Sequence, residues 1–269
     1  MNLLHYFIIL SAALLVISCE KELDFKYNDI EPIPVIEANL TQNGARVAIT
    51  MTTPMDEPMD STRYTDAIVT VEDITDGSLA VMTADKDGFF VSTAPGIPGH
   101  DYRLAVERDG VKYTSECQMT YPTEITGLLF QWIHMPFDNM AVLQVSFRDN
   151  PATKDDCYWV RVYRNRQPYT WTVVNDKLAV DGIIDEVITT TRQDIEEEED
   201  DELLLDGDVV GVSVTPISRH MHDYLEALSA GGSNGPRMFD GEICLGFFLA
   251  APVAEASTVF RPDEMSEYK

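Results

Sequence analysis

Between Val35 and Thr120 apolar and polar residues alternate with a period of two, and three Asp-Gly dipeptides (Asp76-Gly77, Asp87-Gly88 and Asp109-Gly110) interrupt the alternation. Successive side chains of a strand point to opposite faces, so strict alternation marks a sheet with one buried face. Asp-Gly supplies the positive φ that tight β-turns need, so the stretch reads as hairpins. Arg46 to Thr52 is the clearest strand, with Val47, Ile49 and Met51 on one face and Ala48, Thr50 and Thr52 on the other. Tyr102, Leu104 and Val106 share one face of a later strand, and Tyr113, Ser115, Cys117 and Met119 share one face of the next. About seven short strands in roughly 90 residues predict an immunoglobulin-like β-sandwich over residues 35–122.

Pro122 marks a boundary. Beyond it Ile125–Ile133, Ala141–Arg148, Cys157–Arg164, Tyr169–Val174, Glu186–Thr191, Val209–Thr215 and Ile243–Leu249 continue the strand pattern. They predict a second, larger sandwich over residues 123–262, followed by a tail over 263–269. One helix interrupts them. Ser218 is its N-cap, Met221, Leu225 and Leu228 recur at helical spacing, and Gly231-Gly232 closes it. It is expected to lie across one end of the second sandwich. The predicted fold is all-β: two immunoglobulin- or fibronectin-like β-sandwich domains, with one short helix in the second.

The first residues belong to neither domain. Phe7 to Ile17 is an apolar run of eleven residues, too short for a spanning helix, which needs about 20, but the right length for a secretory signal. It ends in Val16-Ile17-Ser18-Cys19, and charge begins at Glu20. This resembles the lipobox of bacterial lipoproteins, in which the cysteine thiol is alkylated by a diacylglyceryl group, the chain is cut just before it, and the new amine is acylated. A nucleophilic sulfur is what that chemistry needs. Residues 1–18 are then a lipoprotein signal peptide, Cys19 the lipidation site and residues 19–34 a lipidated tether. Acyl chains contribute about 0.8 kcal/mol per buried methylene, so two or three give a stable membrane anchor. Glu20, Glu22 and Asp24 resemble the acidic export signal of surface lipoproteins in the Bacteroidota.

Composition narrows the partners. The chain has 269 residues, with 19 basic against 46 acidic residues and a net charge of −27. There is no basic stripe to displace counterions, so nucleic-acid binding is excluded. An anionic membrane surface repels the chain, so attachment must be covalent or apolar. Ten acids and no Lys or Arg lie between Asp194 and Asp208. Such a run offers hard oxygens for calcium, but consecutive acids in a loop usually point outward as a solvated segment.

Four segments carry a wider resemblance: the lipobox, "GIPGHDYRLAVERDGVKYTS" (Gly96–Ser115), "LLLDGDVVGVSVTPISRHMHDYL" (Leu203–Leu225) and "GEICLGFFLA" (Gly241–Ala250), in that order. Together they resemble the Bacteroidota outer-membrane lipoprotein family filed as domain of unknown function 4249. The resemblance implies a lipid-anchored outer-membrane protein associated with a TonB-dependent transporter, and it implies no catalytic residues; exposure at the cell surface is expected from the acidic start after Cys19.

The search for chemistry yields little. His220 and His222 stand two apart on the helix, where a zinc pair needs i, i+4 spacing. No nucleophile elbow and no phosphate-binding loop is present. No catalytic residue, metal or cofactor is therefore expected. Tyr169 and Trp171, alternating in "YTWTVV", would share a strand face and are candidate aromatics for stacking a sugar ring, against the alternative that they are core or cross-strand partners. After Cys19 three cysteines remain: Cys117, Cys157 and Cys244. In an oxidising compartment one pair and one free thiol is the simplest count, with Cys157–Cys244 as the expected disulfide and Cys117 as a buried thiol; three free thiols are the alternative. The expected function is a non-enzymatic accessory or binding lipoprotein that works with an outer-membrane transporter in nutrient uptake. A surface glycan-binding or adhesive module is the alternative, and a hydrolase the third reading.

Overall fold

The structure is a computed structural model, described over residues 31–54, 58, 61–136, 138–150, 153–192, 203–231 and 235–268. Residues Pro32–Lys269 form one compact unit, and Met1–Glu31 fall in a separate one. Cys19 and the acidic residues 194–202 lie outside the described residues.

The first eight strands are β1 (Pro34–Thr41), β2 (Gly44–Met51), β3 (Ile68–Asp73), β4 (Ser78–Val81), β5 (Thr83–Ala84), β6 (Phe90–Ser92), β7 (Asp101–Arg108) and β8 (Val111–Gln118). Each of the three Asp-Gly dipeptides forms a turn with positive φ at the glycine: Gly77 joins β3 to β4, Gly88 joins β5 to β6, and Gly110 joins β7 to β8. Alternation converts directly into burial. Val47 and Ile49 of β2, Val69 and Val71 of β3, and Leu104 and Val106 of β7 face one core. Between β4 and β5 the chain changes sheets at the buried Met82, since β4 pairs with β3 whereas β5 pairs with β6.

The next six are β9 (Ile125–Met135), β10 (Asp138–Arg148), β11 (Cys157–Arg164), β12 (Gln167–Asn175), β13 (Ile183–Arg192) and β14 (Val209–Ile217). Ala141, Leu143, Val145 and Phe147 of β10 meet Tyr158, Val160 and Val162 of β11 and Val210, Val212 and Val214 of β14 in a second core. Helix α1 (Arg219–Ser229) follows, then β15 (Asp240–Gly241), β16 (Leu245–Ala250), β17 (Ala254–Val259) and β18 (Ser266–Glu267).

Four sheets result, with strand orders β16-β1-β2-β6-β5, β15-β8-β7-β3-β4, β13-β10-β9-β18 and β12-β11-β14-β17. The first two enclose the first core and the last two the second, which gives the two sandwiches expected. The domain boundaries need correction. Residues 240–250 fall inside the expected second domain, 123–262, yet β15 pairs with β8 and β16 runs parallel to β1, from Val35↔Leu245 to Leu40↔Ala250. The chain leaves the first sandwich at Pro122, builds most of the second, returns to finish the first, and then supplies β17 and β18 to the second. The tail expected over 263–269 likewise contains a strand, because β18 pairs parallel to β9.

The helix is also placed differently. Ser218 Oγ caps it by accepting from Met221 N at 3.2 Å, and Met221 and Leu225 are buried as expected, but Leu228 is exposed. The helix does not cap one end of the second sandwich. Its apolar side meets Cys157, Trp159, Trp171 and Val173, on the outward face of β11 and β12, and Phe247 and Leu249 of β16. It is a wedge between the two sandwiches.

Candidate functional site

A region with both concavity and mixed chemistry lies at the junction around this wedge. A cleft of about 770 Å³ is walled by the end of β8 and the linker to Thr123, by Asp155–Tyr158, by Pro216–Met221, by Arg237–Asp240 and by Phe248–Ala250. Both sandwiches contribute, and polar bonds tie them across it. Thr120 Oγ1 donates to Pro216 O at 2.9 Å, and Ser115 Oγ donates to Met238 O at 2.6 Å. The His220 ring Nε2 lies 3.1 Å from Arg237 O. Arg237 fixes the segment it starts by donating to the carbonyls of Phe239 (2.7 Å), Gly241 and Glu242 (3.1 Å). A guanidinium committed to three or more backbone acceptors holds a loop without needing a carboxylate.

The floor beside the cleft is aromatic. Trp159 makes edge-to-face contacts with Trp171 (6.1 Å between centroids) and with Phe247 (5.9 Å), and Tyr224 tilts against Phe247 at 6.2 Å. Each such pair contributes about 0.5–1.5 kcal/mol beyond the area it buries. Three strands and the helix are held together here, which sets the angle between the sandwiches.

One row further along the same sheet face lies a polar patch. The Arg161 guanidinium stands 4.4 Å over the Trp159 ring and its Nη2 donates to Thr215 Oγ1 at 3.3 Å. Ser213 is directly opposite Arg161 in β14. Arg161 Nε, Trp159 Nε1 and Ser213 Oγ are closed off from solvent without a hydrogen-bond partner. Burial pulls the Arg161 pKa below the usual arginine range.

The aromatics proposed for sugar stacking separate here. β11 and β12 are in register as far as Val162↔Thr170, and the next pair is Tyr163↔Pro168, so Tyr169 is the extra residue of a β-bulge. The bulge turns Tyr169 against the second core, while Trp171 packs into the junction on the opposite face. Two residues apart in sequence, they do not form one platform, because the bulge breaks the period of two on which their pairing depended.

The cysteines are corrected as well. Cys117, Cys157 and Cys244 are all free. Cys157 opens β11 and packs with Ile217 and Met221 in the junction, whereas Cys244 precedes β16 and packs against the first core. The return of β16 to the first sandwich separates the expected pair. Cys117, as expected, packs against the first core, and burial pushes its thiol up to about 12. Burial raises Cys244 to about 11 and also raises Cys157, against the pull of Arg219. None of the three is a thiolate at neutral pH, so none is an activated nucleophile.

Of the histidines, His220 is exposed, but His222 is buried in α1 with Nδ1 3.4 Å from Asp223 Oδ1 and 3.6 Å from Glu226 Oε2. His100 Nδ1 is 2.8 Å from the buried Asp73 Oδ2, and Asp73 Oδ1 accepts from Thr75 N at 3.0 Å, which anchors the β3–β4 turn. Asp208, at the end of the acidic run, is no solvated loop acid: it accepts from Arg164 Nε (2.7 Å), Asn165 Nδ2 (2.7 Å) and Leu205 N (2.8 Å). Burial opposes ionisation there, but those bonds outweigh it and hold the carboxyl below the usual range.

At one edge of the cleft Asp149, Asp156 and Asp176 bring carboxylate oxygens within 4.8 Å of one another. Asp149 accepts from Tyr158 OH at 2.8 Å, and Asp156 accepts from Thr153 Oγ1. Burial first, then repulsion from Asp149, Asp176 and Asp155, raises Asp156 above the usual range, against the Thr153 bond. Three oxygens suit a divalent cation only in part, since calcium takes six to eight.

No protein-family model matches the sequence, and neither does any curated protein. Among solved structures, a segment of two fibronectin type-III domains from chicken tenascin is 14% identical, covers 85% of this chain and 99% of its own, and superposes with a TM-score of 0.23. Chicken CNTN1 FN1-FN3 domains are 10% identical, covering 86% of this chain and 65% of their own, with a TM-score of 0.25. The four sheets themselves pack in pairs as two β-sandwiches.

Two measurements check this junction. Thiol titration of the denatured, unreduced chain with Cys19 replaced by alanine is expected to give three thiols, where a Cys157–Cys244 disulfide would leave one. The Asp156 pKa is raised in the folded state, so the folded chain binds the extra proton and stability falls as pH rises from the unfolded value of 3.8 through the raised one. Asp156→Asn is expected to remove that fall and to raise the melting temperature at pH 7; an unchanged pH profile would contradict the assignment.

Proposed function

We propose that the protein is a lipid-anchored binding subunit of the bacterial outer membrane, non-enzymatic, held by Cys19 and working beside a TonB-dependent transporter in nutrient uptake. The observation that carries the reading is the junction: two sandwiches share one apolar wedge, and a cleft with carboxylates, hydroxyls and apolar walls opens beside it. A cleft between domains that are locked together is a pre-formed site, and pre-formed sites bind without the cost of ordering loops. The raised thiols fit binding better than thiol catalysis. No helix among the described residues is long and apolar enough to cross a membrane, so attachment in this reading depends on the lipid.

The anchor and the partner are tested together. Cys19→Ala is expected to abolish lipid labelling and to release the protein from the membrane fraction. A mutant that labels and fractionates like the native chain contradicts the anchor. The native chain is expected to co-purify with a TonB-dependent transporter from detergent-solubilised membranes; recovery alone, under conditions that keep transporter complexes intact, contradicts the partnership.

A further inference from the structure

We propose that β4 is a docking edge for an extended segment of another protein, one that carries apolar side chains at every second position and basic residues at its ends. The inference goes beyond the reading above and does not depend on the lipid anchor.

β4 is the outermost strand of its sheet, beside β3. Met82 N donates to Val69 O at 2.9 Å, which fixes the phase of the pair. In an antiparallel ladder alternate residues turn their N–H and C=O groups to the same side. Ala80 and Met82 therefore spend theirs on β3, and Leu79 and Val81 turn theirs to the open edge. The same two residues expose their side chains: Leu79 by 61% and Val81 by 66%, with Ile68 of β3 exposed by 61% on the same outward face. Backbone polar groups and apolar side chains are thus offered together, which is what strand addition recognises.

Edges are normally blunted by a charge, a proline or a bulge. β4 reads Ser-Leu-Ala-Val, and its register with β3 is unbroken from Thr70↔Val81 to Asp73↔Ser78. At another edge β17 carries Glu255. Charge selects the occupant. Asp76 stands before β4, and Asp85 and Asp87 stand after it against the single Lys86. On the neighbouring face Arg103 is already neutralised by Glu72 and Glu116. A second copy would bring the same acids edge to edge, at −27 per chain, whereas basic residues flanking a strand would meet them. Apolar residues alternating along that strand would lie beside Leu79 and Val81 as cross-strand neighbours.

The test uses the full chain in detergent and the peptide Lys-Lys-Val-Thr-Val-Thr-Val-Lys-Lys. Peptide binding is expected to slow hydrogen exchange at the Leu79 and Val81 amides. The double variant Leu79→Lys, Val81→Lys is expected to bind at least about tenfold more weakly with an unchanged melting temperature, as is Leu79→Thr, Val81→Thr, which keeps strand propensity. A peptide with Glu in place of each Lys is expected to bind more weakly by a similar factor. No protection at the two amides, or equal binding by both variants, overturns the proposal. So does a dimer in sedimentation that the Lys variant disperses while the peptide fails to bind, since the occupant is then a second copy.

Discussion

The parallel pairing of β16 with β1 is the contact on which the rest of the structure depends. It needs an unusually close approach: Gly246 has φ +98, and a Cβ there would stand 2.0 Å from Ile36 O. Only glycine fits both the backbone angle and the distance. The strand that results serves two cores. Phe248 and Ala250 point into the first sandwich, while Phe247 and Leu249 point out into the wedge with α1, Trp159 and Cys157. A strand buried on both faces reads as a continuous apolar run, and Leu-Gly-Phe-Phe-Leu-Ala is such a run. Through it the closure of the first sandwich and the docking of the second become one event.

The wedge also accounts for β14. Val210, Val212 and Val214 fill the second core, but Ser213, Thr215 and Ile217 on the outward face are buried too, Ile217 directly against the wedge. Polar residues buried there sit beside Arg161 and leave donors without acceptors, a cost tolerated where apolar packing on the same face is extensive. Asp149, Asp156 and Asp176 bring part of the acidic excess to the edge of the cleft.

Much of this was legible in the residues. Alternation gave the strands, the Asp-Gly turns gave the hairpins of the first sandwich, and Ser218 gave the start of the helix. What was not legible shares a physical cause. An apolar run such as β16 satisfies any buried position, so local pattern cannot say which sheet it joins; that is a long-range choice set by the close approach at Gly246. The same choice undid the Cys157–Cys244 pair. Tyr169 was misassigned because one bulge residue reverses the faces of a strand, and β12 carries no glycine to signal it. The turn at Asn165-Arg166, with φ of 49° and 73°, was not legible, because arginine rarely adopts that angle.

If β16 couples the two sandwiches, a strike at Gly246 must be felt in both. The direct measurement is amide hydrogen exchange of Gly246→Ala, read at Val47 and Leu104 in the first core and at Val160 and Val212 in the second. The account predicts that all four lose protection together, by a common factor that reflects about 1–3 kcal/mol or more of backbone strain. Loss confined to Val47 and Leu104, with Val160 and Val212 as protected as in the native chain, would contradict it.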